Sequence, residues 1–438
     1  MSDLVTAPAM HAGRPTALLP LGQLARLSAY WLGLTAIDSA VGLFTQNRVN
    51  YGGFVQDLDV GRAQALIGIG GAIIGIILQP TVGQMSDYAV TRWGRRKPFI
   101  VFGSLLDVVF LFGIATSNSL LLLATFIALL SFSTNIARGP FQGYVPDLIA
   151  APQVGMASAL VGLMQILGNV TGFLLITLGV TFGIAPLALM AVAIVELVTM
   201  VSVVYRVAPG PQPVSRGGRS WLSIAGEAWG TDILRERSYL WLLASRLFFL
   251  MGGSILVNLA QTYLNQVHGL DEKGTAGEVL VFLVVIVIGN LVAAVPASRL
   301  SDRIGRKPII YFACCVGGIG VGIAAIAPNV TVAVVGVALF GLSAGMFLAV
   351  DWALMTDIIP MAAAGRYMGL SNVATGASSP LGVAIGGLVL DAVNKAAGFG
   401  TGPRVAFLIG AVFYVVAAVL LHPVDPTRRE DRAAERAA

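Results

Sequence analysis

Long apolar runs separated by short polar segments dominate the chain. Each run is about 20 residues long, which is the length of an α-helix that crosses the hydrocarbon core of a bilayer. The runs are continuously apolar and lack the alternating pattern of a membrane β-barrel strand. Twelve membrane-spanning helices are therefore predicted, at residues 24–47, 62–83, 98–117, 120–145, 155–181, 184–206, 239–265, 275–298, 308–327, 331–356, 366–391 and 403–422.

The twelve spans fall into two sets of six with a polar segment between them. We predict a helical bundle over residues 24–206, a linker over 207–238 and a second bundle over 239–422. Residues 1–23 and 423–438 are predicted terminal segments. The linker is rich in proline and glycine, which interrupt regular structure. The predicted fold is an all-α membrane protein with two pseudo-symmetric six-helix bundles.

Composition excludes a soluble protein. Charged residues make up 11% of the chain and the mean hydropathy is +0.83, whereas a soluble protein carries about 25% charged residues. With both termini inside, 20 of the 27 lysines and arginines lie in cytoplasmic segments or at the cytoplasmic ends of spans, 5 lie at the outer side and 2 lie deep within spans. Because cytoplasmic loops are enriched in these residues, both termini are predicted to be cytoplasmic. The same bias explains the basic pI without nucleic acid.

A polar motif occurs once in each half. The two copies are Ser86-Asp87 with Gly94-Arg95-Arg96-Lys97-Pro98, and Ser301-Asp302 with Gly305-Arg306-Lys307-Pro308. A second acid follows each copy, Asp147 in the first half and Asp357 in the second. Duplicated six-helix halves are typical of secondary transporters, whose binding site lies between the halves near the membrane midplane.

These motifs resemble the major facilitator superfamily. The second copy matches the superfamily's signature loop between the second and third helices of a half. The first copy has four more residues before its glycine, and this form resembles the glycoside–pentoside–hexuronide and sucrose transporter-like branch, which includes the proton-associated sugar transporters. The resemblance implies alternating access around a cavity lined by helices 1, 4, 7 and 10.

Acidic and basic residues at the cytoplasmic ends of the spans predict a gate. The predicted gate residues are Asp87, Arg95, Asp147, Asp302, Arg306 and Asp357. Ion pairs among them would close the inner mouth and break as it opens. The alternative is that these arginines only set the membrane topology.

Four ionisable residues lie within the helices that are expected to line the cavity. They are Asp38, Arg138, Arg246 and Asp351, in spans one, four, seven and ten. Each costs about 2.5–3.5 kcal/mol to insert, so it is expected to face a cavity or a partner. Asp38 and Asp351 are the predicted proton-coupling residues, with Asp38 nearest mid-depth. The alternative is a permanent structural pair between Asp38 and an arginine.

Polar side chains near these charges predict where a substrate binds. The predicted substrate-binding residues are Asn135, Arg138, Gln142, Arg246, Asn258, Gln261 and Trp352. Amides and charged groups hydrogen-bond sugar hydroxyls, and an aromatic face packs against the ring. Packing between helices is the alternative role of each amide.

The sequence therefore predicts a proton-coupled sugar or glycoside symporter, for a disaccharide such as sucrose or maltose. Its expected partners are a small-molecule sugar, protons and the lipid bilayer, without nucleic acid, metal or cofactor. We expect a monomer in the cell (inner) membrane that is not an enzyme. The resemblance to sodium-driven melibiose-type transporters implies that sodium coupling needs acids on helices two and four, because a hard cation requires several oxygens. Sodium coupling is disfavoured here, since span two has no acid before Asp87 and span four none before Asp147. The alternatives are a proton-driven exporter of drugs or metabolites and a membrane sensor without net flux.

Overall fold

Thirteen α-helices run through the described part of the chain. The structure is a computed structural model that describes residues 17–55, 59–150, 153–207, 218, 220–221, 236–358 and 364–425. The helices of the N-terminal half are α1 (Leu21–Tyr51), α2 (Val60–Ser86), α3 (Lys97–Thr116), α4 (Leu120–Leu148), α5 (Val154–Thr181) and α6 (Ala185–Arg206). Those of the C-terminal half are α7 (Arg237–Asn258), α8 (Ala260–His268), α9 (Glu272–Ile304), α10 (Arg306–Ile326), α11 (Val330–Ile358), α12 (Ala364–Ala397) and α13 (Thr401–Leu421).

Twelve of these helices are long and apolar enough to cross a membrane, which confirms the predicted fold class. The seventh predicted span differs from a single helix, because it is divided at Leu259 into α7 and the short α8. The side-chain amide of Asn258 donates to the carbonyl of Ser254 at 2.9 Å, where it competes with the helical backbone hydrogen bond. Apolar content alone cannot show such a break.

Glycines allow neighbouring helices of one half to approach to backbone contact. A β-carbon at Gly172 of α5 would lie 2.3 Å from the carbonyl oxygen of Ala36 in α1. In the C-terminal half, a β-carbon at Gly320 of α10 would lie 2.6 Å from the carbonyl oxygen of Gly336 in α11. Such contacts replace the hydrophobic driving force that is absent between helices in lipid. They hold each bundle together.

The two halves contact each other through a small set of helices. Helix α2 packs along α12, α5 contacts α9, and α1 touches α7 and α8. Gly61 of α2 and Gly387 of α12 approach to backbone contact, since a β-carbon on Gly61 would lie 2.0 Å from the Gly387 carbonyl oxygen. Both glycines lie toward the ends of their helices that are predicted to face outward, and this face is called the predicted outer face below.

The repeated motif folds alike in both halves. Its glycines, Gly94 and Gly305, have φ angles of +92° and +91°, a backbone region that strongly favours glycine. The lysine amines donate to backbone carbonyls at the C-terminal end of the sixth span of the same half. Lys97 Nζ donates to the Val204 and Val207 carbonyls at 2.7 and 2.6 Å, and Lys307 Nζ donates to those of residues 422 and 424 at 2.6 and 2.9 Å.

Removing either lysine amine is expected to destabilise its half. Lys97→Met or Lys307→Met leaves carbonyls at a helix end without their cationic donor, and we expect each to lower the free energy of unfolding by about 1–3 kcal/mol. Thermal unfolding in lipid nanodiscs measures this loss. Lys273→Met, which alters an exposed lysine at the predicted outer face, is the matched control. Equal stability of all three variants would show that the hydrogen bonds of Lys97 and Lys307 do not stabilise their halves.

Candidate functional site: two ion pairs and an outer clasp

Asp38 and Arg138 form an ion pair between α1 and α4. Asp38 Oδ2 lies 2.7 Å from Arg138 Nη2, and 50% of the Asp38 side chain and 20% of the Arg138 side chain are exposed. The residues on either side of Asp38, Ile37 and Ser39, are buried. Asp38 thus faces α4, and α1 also contacts α2, α5 and α6 of its own half and α7 and α8 of the other half.

Arg246 and Asp351 form the corresponding pair in the C-terminal half, between α7 and α11. Arg246 Nη1 lies 2.5 Å from Asp351 Oδ2, with 10% and 4% of the side chains exposed. Arg246 Nε also donates to the hydroxyl of Thr375 in α12 at 3.2 Å. This pair is closed off from the surroundings, unlike the Asp38–Arg138 pair.

The two pairs join equivalent helices but in opposite order. In the N-terminal half the acid is on the first span and the base on the fourth, whereas in the C-terminal half the base is on the first span and the acid on the fourth. Removing one partner of a buried pair costs about 3–5 kcal/mol, and an exposed pair is held together more weakly. Because the Asp38–Arg138 pair is the more exposed of the two, it is expected to separate more easily.

The predicted substrate-binding amides differ in their surroundings. Asn135 is buried against α2 beside Gly75 and donates to the Ser131 carbonyl at 2.7 Å. Asn258 donates to Ser254 and to the hydroxyl of Ser379 in α12. These two amides take part in helix packing.

The two glutamines that are predicted to bind substrate differ from these asparagines. The buried Oε1 of Gln261 has no donor among the described residues, and Gln142 is partly buried in α4. The side chain of Trp352 lies outside the described part of the structure.

The predicted gate residues of the N-terminal half form a compact cluster within that half. Asp147 Oδ2 lies 2.7 Å from Arg95 Nη2 and 2.6 Å from Arg96 Nε. Asp87 lies 2.8 Å from Arg96 Nη2 and 3.7 Å from Arg95 Nη1. A β-carbon at Gly143 would lie 2.0 Å from Arg96 Nη1, so the glycine makes room for the guanidinium.

The second copy is described only in part. Asp302 is exposed at the end of α9 and Arg306 is partly buried at the start of α10. The side chain of Asp357 lies outside the described residues. The role of both copies as a gate stays a prediction.

A second set of contacts, at the predicted outer face, joins the two halves. We call it the outer clasp, and its members are Asn47, Asn50, Tyr51, Asp59, Gly61, Arg62, Gln64, Thr262, Glu272, Thr275, Gly387, Asp391 and Lys395. Asp391 of α12 accepts from the backbone N–H groups of Gly61 and Arg62 at 2.9 and 2.6 Å. A carboxylate of one half thus caps the positive N-terminal end of α2 in the other half.

Side-chain bonds complete the clasp. Asn47 donates to Glu272 at 2.9 Å, and Lys395 donates to Asp59 at 2.7 Å. The hydrogen bond from Lys395 lowers the pKa of the Asp59 carboxyl below its usual value. This last pair is more than one-third exposed on both sides, so its contribution is small.

Sequence reasoning missed the outer clasp. The sequence predicts polar contacts only at the cytoplasmic ends of the spans, through residues such as Asp87 and Asp302. The structure also shows a carboxylate of one half, Asp391, at a helix end of the other half on the predicted outer side. An acid close to the outer end of span eleven was the available signal, but only the packing of α2 on α12 gives it a partner.

Comparison with known proteins agrees with this architecture. A profile of the Major Facilitator Superfamily matches residues 28–379 and 275–438. The solved structure of a bacterial homologue of the human lysosomal transporter Spinster, in an inward-facing and occupied conformation, aligns over 93% of this chain and 97% of that one, with a TM-score of 0.71 and 14% identity. The nucleoside transporter NupG aligns over 92% and 98%, with a TM-score of 0.63 and 15% identity. At these identities the likeness shows the fold alone.

Sequence relatives match over a shorter stretch. The sucrose transport protein SUC3 of Arabidopsis thaliana is 29% identical over 143 residues, which are 27% of this chain and 24% of that protein. The general alpha-glucoside permease of Schizosaccharomyces pombe is 32% identical over 168 residues, 34% of this chain and 30% of the permease. Each match spans less than a third of the relative's length. The profile match over nearly the whole chain, together with the twelve-span fold, establishes that this multi-pass membrane protein belongs to the Major Facilitator Superfamily.

Proposed function

We propose that this protein is a secondary active transporter that carries a sugar or glycoside together with a proton by alternating access. The observation that carries the proposal is the Asp38–Arg138 pair, an acid in the middle of a membrane-spanning helix that is half exposed and bound to an arginine. An ionisable side chain at this depth is costly unless it faces a partner or a water-filled space. Asp38 has a partner and an exposed surface.

Protonation of Asp38 would release Arg138. A neutral carboxyl loses its attraction for the guanidinium, which is then free to bind substrate hydroxyls with its fork of N–H donors. Return of the negative charge restores the pair. For Asp351 to couple protons as well, another conformation must admit water to it, because its side chain is only 4% exposed here.

The substrate class is supported by the polar groups and by the relatives. Arg138, Arg246, Gln142 and Gln261 supply hydrogen-bonding groups in the spans that are proposed to line the cavity, which is chemistry that a polyhydroxylated ligand needs. The names of the sequence relatives specify sucrose and alpha-glucosides. We therefore propose that the substrate is a glucoside, and that a disaccharide is the first candidate to test.

We place both termini in the cytoplasm, because 20 of the 27 basic residues then lie in cytoplasmic segments or at the cytoplasmic ends of spans. The outer clasp then closes the non-cytoplasmic side. We infer that the exposed surface of Asp38 is reached from the cytoplasm in this conformation.

Uptake into proteoliposomes tests the proposal. Radiolabelled sucrose and maltose are supplied with an imposed pH gradient, and again after a protonophore has collapsed it. We expect saturable accumulation that requires the gradient. Gradient-driven efflux would indicate the exporter instead, saturable binding without flux would indicate a sensor, and uptake that ignores the gradient would contradict proton coupling.

A further inference from the structure

A buried polar cluster lies inside the N-terminal half, between α1, α3, α4 and α6. It contains two acids, Asp107 of α3 and Glu196 of α6, and neither has any exposed surface. Tyr30 of α1 donates its hydroxyl to Glu196 Oε1 at 3.2 Å, and lies 2.6 Å from the hydroxyl of Ser104. The Asp38–Arg138 site does not include these acids.

The available donors reach only one oxygen of each acid. Ser133 and Thr134 of α4 both donate to Asp107 Oδ1, the latter at 2.9 Å. The other two carboxyl oxygens, Asp107 Oδ2 and Glu196 Oε2, are buried and have no donor among the described residues. Buried oxygens of this kind cost about 1–3 kcal/mol each when they stay unpaired, and more when charged.

The two carboxyl groups belong to one buried hydrogen-bonded cluster, because Tyr30 bonds Glu196 and also Ser104, which lies one turn before Asp107 on α3. Two ionised carboxylates in contact repel each other, and burial in a medium of low polarity strengthens that repulsion. One shared proton would relieve both the repulsion and the unpaired oxygens, because an O–H group on either acid donates to the other. The same logic makes paired carboxyls in other proteins share one proton.

The other titratable or charged groups that face the pair cannot replace this proton. From α1 the pair meets the neutral phenol of Tyr30, and from α4 it meets the field of Arg138. Arg138 is itself bound to Asp38. Arg138 is a single cation near three acids, Asp38, Asp107 and Glu196, so it balances only one of their three negative charges.

We propose that Asp107 and Glu196 together bind one proton as an acid–carboxylate pair, which is a second protonation site in the N-terminal half beside the Asp38–Arg138 pair. The pair then carries one negative charge. When Asp38 is neutralised in the proposed cycle, this charge is the nearest remaining anion for Arg138, so the two sites are electrostatically linked. The inference adds a site to the proposed function and does not depend on the identity of the substrate.

Infrared spectroscopy of the purified protein in lipid tests the shared proton. We expect the wild type to show a protonated carboxyl C=O band at neutral pH that shifts slowly in deuterium oxide, as befits a buried group. Glu196→Gln and Asp107→Asn each supply an amide N–H in place of the proton, so both variants are expected to fold and to lose the band. Asp391→Asn, which alters a buried acid of the other half, is the control and is expected to keep the band.

Thermal unfolding gives a second readout. Because the folded pair holds a proton that the separated acids release in the unfolded chain, the stability of the wild type should fall as pH rises from about 4, where carboxyls ionise in the unfolded chain, to the pH at which the folded pair loses its proton. Glu196→Gln is expected to remove this dependence. A wild type without the band, or a band that persists in both amide variants, would overturn the proposal. Neither measurement uses substrate or a gradient, so a failure here is distinct from failed uptake.

Discussion

Gly61→Ala is expected to hold the outer ends of the two halves apart and to lower transport at least tenfold. The added β-carbon would lie 2.0 Å from the Gly387 carbonyl oxygen and 2.6 Å from its carbon, both of which are backbone atoms that cannot rotate away. Alanine is a better helix former than glycine by about 1 kcal/mol, so α2 itself should not suffer. The loss would come from blocked closure of the clasp.

Two alanine variants in the same helices are the matched controls. A β-carbon at Gly70 of α2 or at Gly376 of α12 meets nothing within 4 Å, so Gly70→Ala and Gly376→Ala should transport like the wild type. The separation of the halves is measured between spin labels at Asn118→Cys and Lys273→Cys, two exposed positions at the predicted outer face.

The spin-labelled variants are made in a protein whose two native cysteines, Cys314 and Cys315, have been replaced, so that only the introduced cysteines react with the label. We expect Gly61→Ala to move the distance distribution between the labels to longer values. A distance and an uptake rate equal to those of Gly70→Ala would show that the glycine contact does not govern closure.

Asp38→Asn is expected to abolish proton-driven accumulation while leaving exchange intact. A gradient of one pH unit stores about 1.4 kcal/mol per proton, enough for about tenfold accumulation at one proton per sugar. Asparagine keeps an oxygen that accepts from Arg138 but cannot release a proton, so the accumulation ratio should fall to about one. Counterflow of labelled against unlabelled sugar should persist, since it needs no proton movement.

This experiment also separates the two roles open to Asp38. A permanent structural pair would make Asp38→Asn lose accumulation and counterflow together. Asp59→Asn is the control, because Asp59 lies outside the membrane spans and its pair with Lys395 is more than one-third exposed on both sides. Such a pair contributes little, so this variant should match the wild type. Accumulation by Asp38→Asn at the wild-type ratio would remove Asp38 as the proton carrier.

Patterns local in sequence predicted much of this molecule. Apolar runs placed the twelve spans, and the repeated motif predicted the likeness of the two halves, which the matching φ angles of Gly94 and Gly305 bear out. The rule that ionisable residues within spans need partners directed attention to Asp38 and Arg138, and the structure pairs them. Each of these inferences depends on residue type and spacing alone.

Contacts between helices that are far apart in the chain could not be predicted from the sequence. Asp391 and Gly61 are 330 residues apart, and their bond depends on how α2 and α12 are rotated and aligned. Asp107 and Glu196 were visible as ionisable residues within spans three and six, but nothing local says that they face each other. Likewise, the packing role of Asn135 depends on its position beside Gly75 in α2.

The lysine bonds of the repeated motif bear on how the protein is made. Lys97 ties the start of α3 to the end of α6, and every atom in that bond belongs to residues before 208. The first bundle thus has a closing contact that needs no residue of the second bundle, so it can form while the second bundle is still being synthesised. The outer clasp, by contrast, is complete only after Asp391 has been translated, so the two bundles are fully joined later.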